Sequence, residues 1–284
     1  MCSAERRDLM AWTTPLLYER LTWPEVRRAV DEDRVCLIPA GTLEDHGPHL
    51  PIDCDTRIAS EICTRAASEI PDEVVLLPSV THGYTPHHMD FPGPITIGWE
   101  TFTKYCVDIG TSLARHGFKR ILFLNGHGSN IPLVNMAARL IGLQHPDALA
   151  AAAFYLTSEE GARVIADVRE SEQGGMGHAC ELETSIYLAL DPDAVFMDKA
   201  VDENSFPEGP HAWMDWSDGP LQIMPWWNAI SRTGVHGDAT KATAEKGALL
   251  LDAAVKECVE FVRELREKSL PVRWEPTEQP PSTP

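Results

Sequence analysis

Positive charge is scarce in this chain: 24 lysines and arginines stand against 43 aspartates and glutamates over 284 residues, a formal net charge of −19. A chain this acidic is repelled by phosphate backbones and by anionic membrane surfaces, so neither nucleic acid nor a membrane is expected as a partner. Long apolar runs are missing as well. No uncharged apolar run reaches the roughly 18 residues a membrane span requires, and the opening MCSAERRDLM lacks the apolar stretch of a signal peptide. Seven cysteines are scattered without a C-x-x-C pair, which fits the reducing cytoplasm better than a disulfide scaffold. There is no G-x-S-x-G elbow and no P-loop lysine motif, so serine-hydrolase and nucleotide-hydrolase chemistry have no support.

What is present alternates. RVCLIPAG (34–41), EVVLLPSV (73–80) and RILFLNG (120–126) read as buried strands, with ALAAAAFYL (148–156) as a fourth. Between and after them, 56–70, 101–117, 131–144, 181–190 and 242–268 carry the three- and four-residue apolar spacing of helices. Strand–helix alternation predicts an α/β three-layer sandwich, a central mostly parallel sheet flanked by helices on both faces. The expectation is one domain over 1–268, followed by a proline-rich tail at 269–284. Residues 203–230, rich in Trp, Pro and Gly, read as an ordered loop excursion.

In such a sheet, ligands gather beyond the carboxyl ends of strands. Glu44, His46 and Asp55 follow the first strand, His82, His87 and His88 the second, and His127 of NGHGSN the third. GMGHACELE adds His178, Glu181 and Glu183. Side chains two apart in an extended segment share a face, so Glu44 and His46 can serve one site. Mixed carboxylate and imidazole ligands suit zinc, manganese or iron rather than calcium. Two such ions about 3.5–4 Å apart hold a bridging hydroxide and polarise a carbonyl. On one regular helix His178 and Glu183 would diverge by about 140°, so His178 must precede the first turn, and Glu181 then faces solvent or a subunit contact. Two of His82, His87 and His88 are expected to be plain turn residues. Among Trp213, Trp216, Trp226 and Trp227, core or interface roles compete with a substrate wall.

GTLEDHGPHLPIDCDT, HHMDFPG, NGHGSN, HACELETSIYLAL and GDATKATAEKG together resemble, in order and spacing, the creatininase family of creatinine amidohydrolase-like enzymes, over about residues 34–250. The resemblance implies an α/β fold, two divalent metal ions per subunit and a homo-oligomer, often a hexamer. It implies Glu44, His46, Asp55 and His127 as metal ligands, with Asp55 bridging. Glu183 is implied as an extra ligand or catalytic group and His178 as the residue passing a proton to the departing nitrogen. Creatininase itself carries a tyrosine and a glutamate after the NGH histidine, where this chain has Gly128 and Ser129; that departure points away from creatinine and makes Glu183 the replacement ligand.

The function expected is hydrolysis of a non-peptide C–N bond, in a cyclic amide or formamide of a small molecule, by a metal-bridging hydroxide. Tyr84, His88, Ser129 and Trp213 are expected around the substrate. The alternatives are a peptidase-type member acting on a modified peptide and a non-catalytic, metal-stabilised scaffold.

Overall fold

The computed structural model describes residues 17–217 and 219–273. The initial MCSAERRDLM and the tail from 274 onward lie outside the described residues. Four strands, β1 (Val35–Ala40), β2 (Val74–Leu76), β3 (Arg120–Asn125) and β4 (Leu149–Phe154), form one parallel sheet in the order β2-β1-β3-β4. The second strand is shorter than its apolar run because Pro78 has no N–H to continue the ladder.

Among the described residues seven α-helices pack around this sheet: α1 (Trp23–Asp31), α2 (Cys54–Glu69), α3 (Trp99–His116), α4 (Ile131–Gln144), α5 (Glu159–Val168), α6 (Glu181–Leu190) and α7 (Ala244–Glu267). Alternate residues of β1 show the layering. Val35 and Leu37 pack with Ile58, Ile62, Ile186 and Leu250 of α2, α6 and α7. Cys36, Ile38 and Ala40 pack with Phe102, Cys106, Val134 and Ile141 of α3 and α4. Both faces of β1 are therefore buried, which is why the strand reads as an unbroken apolar run rather than an alternation. Among the described residues no helix is long and apolar enough to cross a membrane.

The sheet reverses direction of growth at β1: β2 lies on one side and β3 on the other. Such a switch point opens a crevice beyond the carboxyl ends of the two central strands. Two glycines let α2 start inside that crevice. A Cβ on Gly41 would stand 2.6 Å from the backbone of Thr56, and one on Gly126 would stand 2.6 Å from the Asp55 carbonyl oxygen. The first turn of α2, with Asp55, is thus pressed against the ends of β1 and β3.

A second sheet was not visible in the sequence. β5 (Met176–His178), β6 (Asp202–Glu203) and β7 (His236–Asp238) pair antiparallel in the order β5-β7-β6. It holds His178 over the crevice. The Trp-rich excursion is ordered on its own small core of Phe206, Met214, Trp227 and Ile230, against Phe91.

Glu181 differs from expectation. It is fully buried, not turned to solvent. Its carboxylate accepts from the backbone N–H of Glu170 (3.0 Å) and Ser171 (2.8 Å) and from Lys246 Nζ (2.6 Å), which ties the loop entering β5 to α7. Burial alone would raise its pKa, but Lys246 and the two N–H donors outweigh it and hold the carboxyl below its usual value. Glu181→Ala leaves those donors without a partner and is expected to destabilise the protein by about 2–4 kcal/mol in chemical denaturation. Because the folded-state pKa is depressed, the stabilisation is present above the unfolded-state pKa and is lost as pH falls through the folded one. The gap between wild type and variant should therefore close below about pH 4.

Candidate metal centre and active site

Each motif places its residues by identifiable bonds. In NGHGSN, Asn125 Nδ2 donates to the His127 carbonyl (2.6 Å), and Asn130 bridges from the Tyr84 N–H (3.0 Å) to the Gly41 carbonyl (3.1 Å). His49, buried beside the site, meets Thr184 Oγ1 at 2.8 Å and joins the first motif to α6. Glu183 stands in the first turn of α6 and turns back, one oxygen accepting from the Ala179 N–H (2.6 Å) and the other lying 3.8 Å from His46 Nε2. His178 sits in β5, outside the helix, as the spacing required.

Three histidines share one arrangement. His46 Nδ1 donates to the Glu44 carbonyl (3.3 Å), His127 Nε2 to the Tyr84 carbonyl (3.2 Å) and His178 Nε2 to the Asp45 carbonyl (2.7 Å). A backbone carbonyl only accepts, so in the neutral ring the other nitrogen carries a lone pair. Those lone pairs face carboxylates. His46 Nε2 is 3.2 Å from Asp55 Oδ1, His127 Nδ1 is 3.0 Å from Asp55 Oδ2, and His178 Nδ1 is 3.4 Å from Glu44 Oε1. His46 Nε2 and Asp55 Oδ2 are buried and make no hydrogen bond. Acceptor against acceptor in a dry interior is repulsive unless a proton or a metal cation lies between.

The electrostatics say the same. Burial, helped by Asp55, pushes the Glu44 carboxyl up to about 8 against the pull of His127 and His46. Burial would lower His127, but Glu44 and Asp55 override it and raise the imidazole to about 9. His46 is raised too, with Cys54 and Asp55 outweighing burial, while His46 and His127 hold Asp55 well below the usual carboxylate range despite its burial. Without a cation, protons fill the gaps between ligand atoms.

Among the described residues five groups of three have all their ligand atoms within 4.8 Å of one another, and two of these share Asp55: Glu44, Asp55 and His127, and His46, Asp55 and Glu183. Asp55 belongs to both and turns one oxygen to each. The donor set of carboxylates and imidazoles, the lone pairs and the partnerless atoms fit divalent ions of the zinc or manganese kind.

A cavity opens onto this cluster. Glu44, Asp55, His88, His127, Ser129, His178 and Glu183 line its polar side, and Phe154, Met214, Trp216, Met224 and Trp227 its apolar side. Among the described residues no lysine or arginine lines it, and Asp215 on its wall is engaged by Arg169 at 2.7 Å. Of the residues expected around a substrate, His88 and Ser129 line the cavity; Tyr84 and Trp213 do not. Tyr84 contributes its carbonyl to His127, and the Trp213 indole N–H donates to the Ser217 carbonyl. Trp216 and Trp227 form the wall instead. Only His82 is an exposed turn residue; His87 and His88 are both buried in the cluster.

Sequence reasoning missed Thr85, whose hydroxyl donates to Glu44 Oε2, and Asp45, whose carboxylate meets His88 Nδ1 at 2.7 Å. It also left the role of Trp227 open. The indole stacks on His88 at 4.4 Å and meets His178 edge-on at 4.9 Å.

A family model for creatininase, described as creatinine amidohydrolase, matches residues 19–262. The chain belongs to the creatininase family. Relatives in that family include the mycofactocin precursor peptide peptidase of Mycolicibacterium smegmatis, 30% identical over 84% of this chain and 85% of its own. They also include the creatinine amidohydrolase of Pseudomonas putida, 30% identical over 86% and 95%. Among solved structures, a crystal structure of creatinine amidohydrolase superimposes with a TM-score of 0.76 at 26% identity, covering 90% of this chain and 99% of that one. A manganese form of creatininase gives 0.74 at 27%, covering 90% and 100%. A zinc–zinc form of a creatininase mutant also gives 0.74 at 27%, covering 89% and 98%. The creatininase-family fold accounts for the parallel sheet flanked by helices.

Proposed function

We propose that the protein is a divalent-metal-dependent amidohydrolase that cleaves a C–N bond of a small amide. The carrying observation is Asp55, one oxygen to each of two ligand triads. Glu44, Asp55 and His127 would hold one ion and His46, Asp55 and Glu183 the other; zinc and manganese forms of creatininase are consistent with this. Ions held there would supply the Lewis acidity that lowers the pKa of water and polarises a carbonyl. The chain's own residues do the rest. The His178 Nδ1 lone pair accepts a proton as water adds to the carbonyl, and returns it to the nitrogen as the C–N bond breaks. Its Nε2–H stays on the Asp45 carbonyl and keeps the ring aimed. Trp216, Trp227 and Met214 exclude bulk water from that exchange.

The test is metal stoichiometry by plasma mass spectrometry on protein purified without chelator or nickel, followed by hydrolysis assays on cyclic amides and formamides with the metal identified. Two ions per chain and turnover of one class support the reading; no metal after reconstitution overturns it.

Metal loading should also release protons. Glu44 at about 8, His127 at about 9 and the raised His46 carry protons at neutral pH that a ligand must lose. Zinc titrations in buffers of different ionisation enthalpy should report on the order of three protons released per chain, with affinity rising as pH rises above about 7.

A specific observation favours a second reading, peptide hydrolysis. Where creatininase carries tyrosine and glutamate, a Cβ on Gly128 would meet nothing within 4 Å, so the cavity has room beside His127 for a longer substrate. The mycobacterial relatives are named as peptide peptidases. Digestion of a peptide library, read by mass spectrometry, separates the two.

A further inference from the structure

The fourth histidine of the cluster is not used by either triad. His88 is almost completely buried. Unlike His46, His127 and His178, its Nδ1 faces a side chain rather than the backbone, 2.7 Å from Asp45 Oδ1, and donates to that oxygen when the carboxyl is ionised. A neutral imidazole that donates through Nδ1 accepts through Nε2. That Nε2 lies 3.4 Å from Glu44 Oε1, the same oxygen that His178 Nδ1 faces at 3.4 Å. The other oxygen of Glu44 is taken by Thr85 and lies toward His127. Two ring lone pairs and one carboxylate oxygen therefore converge on a single point at the cavity's edge, with His88 and His178 both lining it. Trp227, stacked on one ring and edge-on to the other, fixes their separation, the ring centroids being 4.7 Å apart. With Glu44 ionised, as metal ligation requires, these are three acceptors with no donor among them, and they call for a ligand that brings N–H groups.

We propose that Asp45 and His88 form a carboxylate–imidazole pair that presents His88 Nε2 as a fixed acceptor for the N–H of the scissile amide, so that the preferred substrates are amides bearing at least one hydrogen on the reacting nitrogen. This rests on the hydrolase reading above. His88 touches the substrate nitrogen and is a catalytic residue; Asp45 acts through it and is a positioning residue. In the reaction His178 delivers the proton received from water to the departing nitrogen. The C–N bond breaks, and the amine, now with an additional N–H, is held by His88 Nε2 and Glu44 Oε1. A tertiary amide brings no N–H to this point and leaves the acceptors unpaired, which costs more than the lost contact itself.

The test uses Asp45→Asn. The side-chain amide can donate to His88 Nδ1, which moves the ring proton to Nε2 and turns the acceptor into a donor, while the backbone carbonyl holding His178 is untouched. On metal-free protein labelled with ¹⁵N-histidine, long-range ¹H–¹⁵N correlation should show His88 unprotonated at Nε2 in the wild type and protonated there in the variant. His88→Phe, which keeps a ring on Trp227, identifies the signal by its loss. On metal-loaded protein both variants should retain the wild-type ion content and lose kcat by about 10²-fold or more, with KM changing much less. Secondary amides should be cleaved at least about 10-fold faster than their N-methylated tertiary counterparts. A protonated Nε2 in the wild type, unchanged kcat in both variants, equal turnover of tertiary amides, or a third ion bound through Glu44, His87 and His88 would each overturn the pair's role. Wild-type protein that binds no metal defeats the hydrolase reading instead, and the nitrogen spectrum still reports the Asp45–His88 pair by itself.

Discussion

Asp55→Asn is expected to lower kcat by about 10³-fold or more, the scale of losing several kcal/mol of charge stabilisation in the transition state. The carboxylate reaches both triads because its two oxygens are equivalent: Oδ1 stands 3.2 Å from His46 Nε2 and Oδ2 stands 3.0 Å from His127 Nδ1. An amide has one acceptor oxygen and one donor nitrogen, so it can complete one triad and must oppose the other. Metal content should fall from two ions per chain toward one, measured by plasma mass spectrometry beside kcat. The metal-free variant should also be less stable, because burial of His46 and His127 is offset by this one ionised partner. Removing the partner of a buried charge is costly, so the thermal midpoint drops when no metal is present. Two ions per chain with unchanged kcat would refute the bridging role.

The parts of this arrangement that sequence revealed are those whose chemistry and spacing are local. Glu44 and His46 lie two apart, His127 follows a strand, and His178 precedes a helix whose first turn carries Glu183; each relation spans a few residues, and the strands and helices around them bury on the faces their periodicity predicts. What sequence could not show is set by long-range contact. Asp45 and His88 are 43 residues apart, and it takes long-range contacts such as the bridge between Leu43 and Ile95 and the Thr85 hydroxyl on Glu44 to bring their segments together. Glu181 looked like a solvated helix residue because its three donors come from a loop before it and from Lys246 on a distant helix. The antiparallel sheet was invisible because its strands are two or three residues long and glycine-rich, too short for any alternation to register. Trp213 was chosen over Trp227 on composition alone. The choice between them depends on Gly234, whose carbonyl accepts the Trp227 indole N–H at 2.9 Å and draws that ring over the histidines.

His178→Ala separates proton transfer from metal binding. The ring hangs from β5 by its Nε2–H on the Asp45 carbonyl and presents Nδ1 to the site, so its loss removes a proton carrier without removing a member of either Asp55 triad. Metal stoichiometry should stay at the wild-type value while kcat falls about 10²–10⁴-fold, the range for a lost general acid–base group. Burial, followed by the nearby His46, keeps the imidazole well below its ordinary pKa, so at neutral pH the ring is unprotonated and able to accept. The sign of the pH effect follows. Wild-type kcat should decline on the acid side as His178 takes up a proton in the resting enzyme, and the alanine variant should lack that limb. Added imidazole should restore part of the lost rate. Full activity in the variant would reassign the proton to His88, the one other ring whose free nitrogen faces the same carboxylate oxygen. Loss of metal together with activity would instead make His178 a ligand and leave proton transfer to the Asp45–His88 pair.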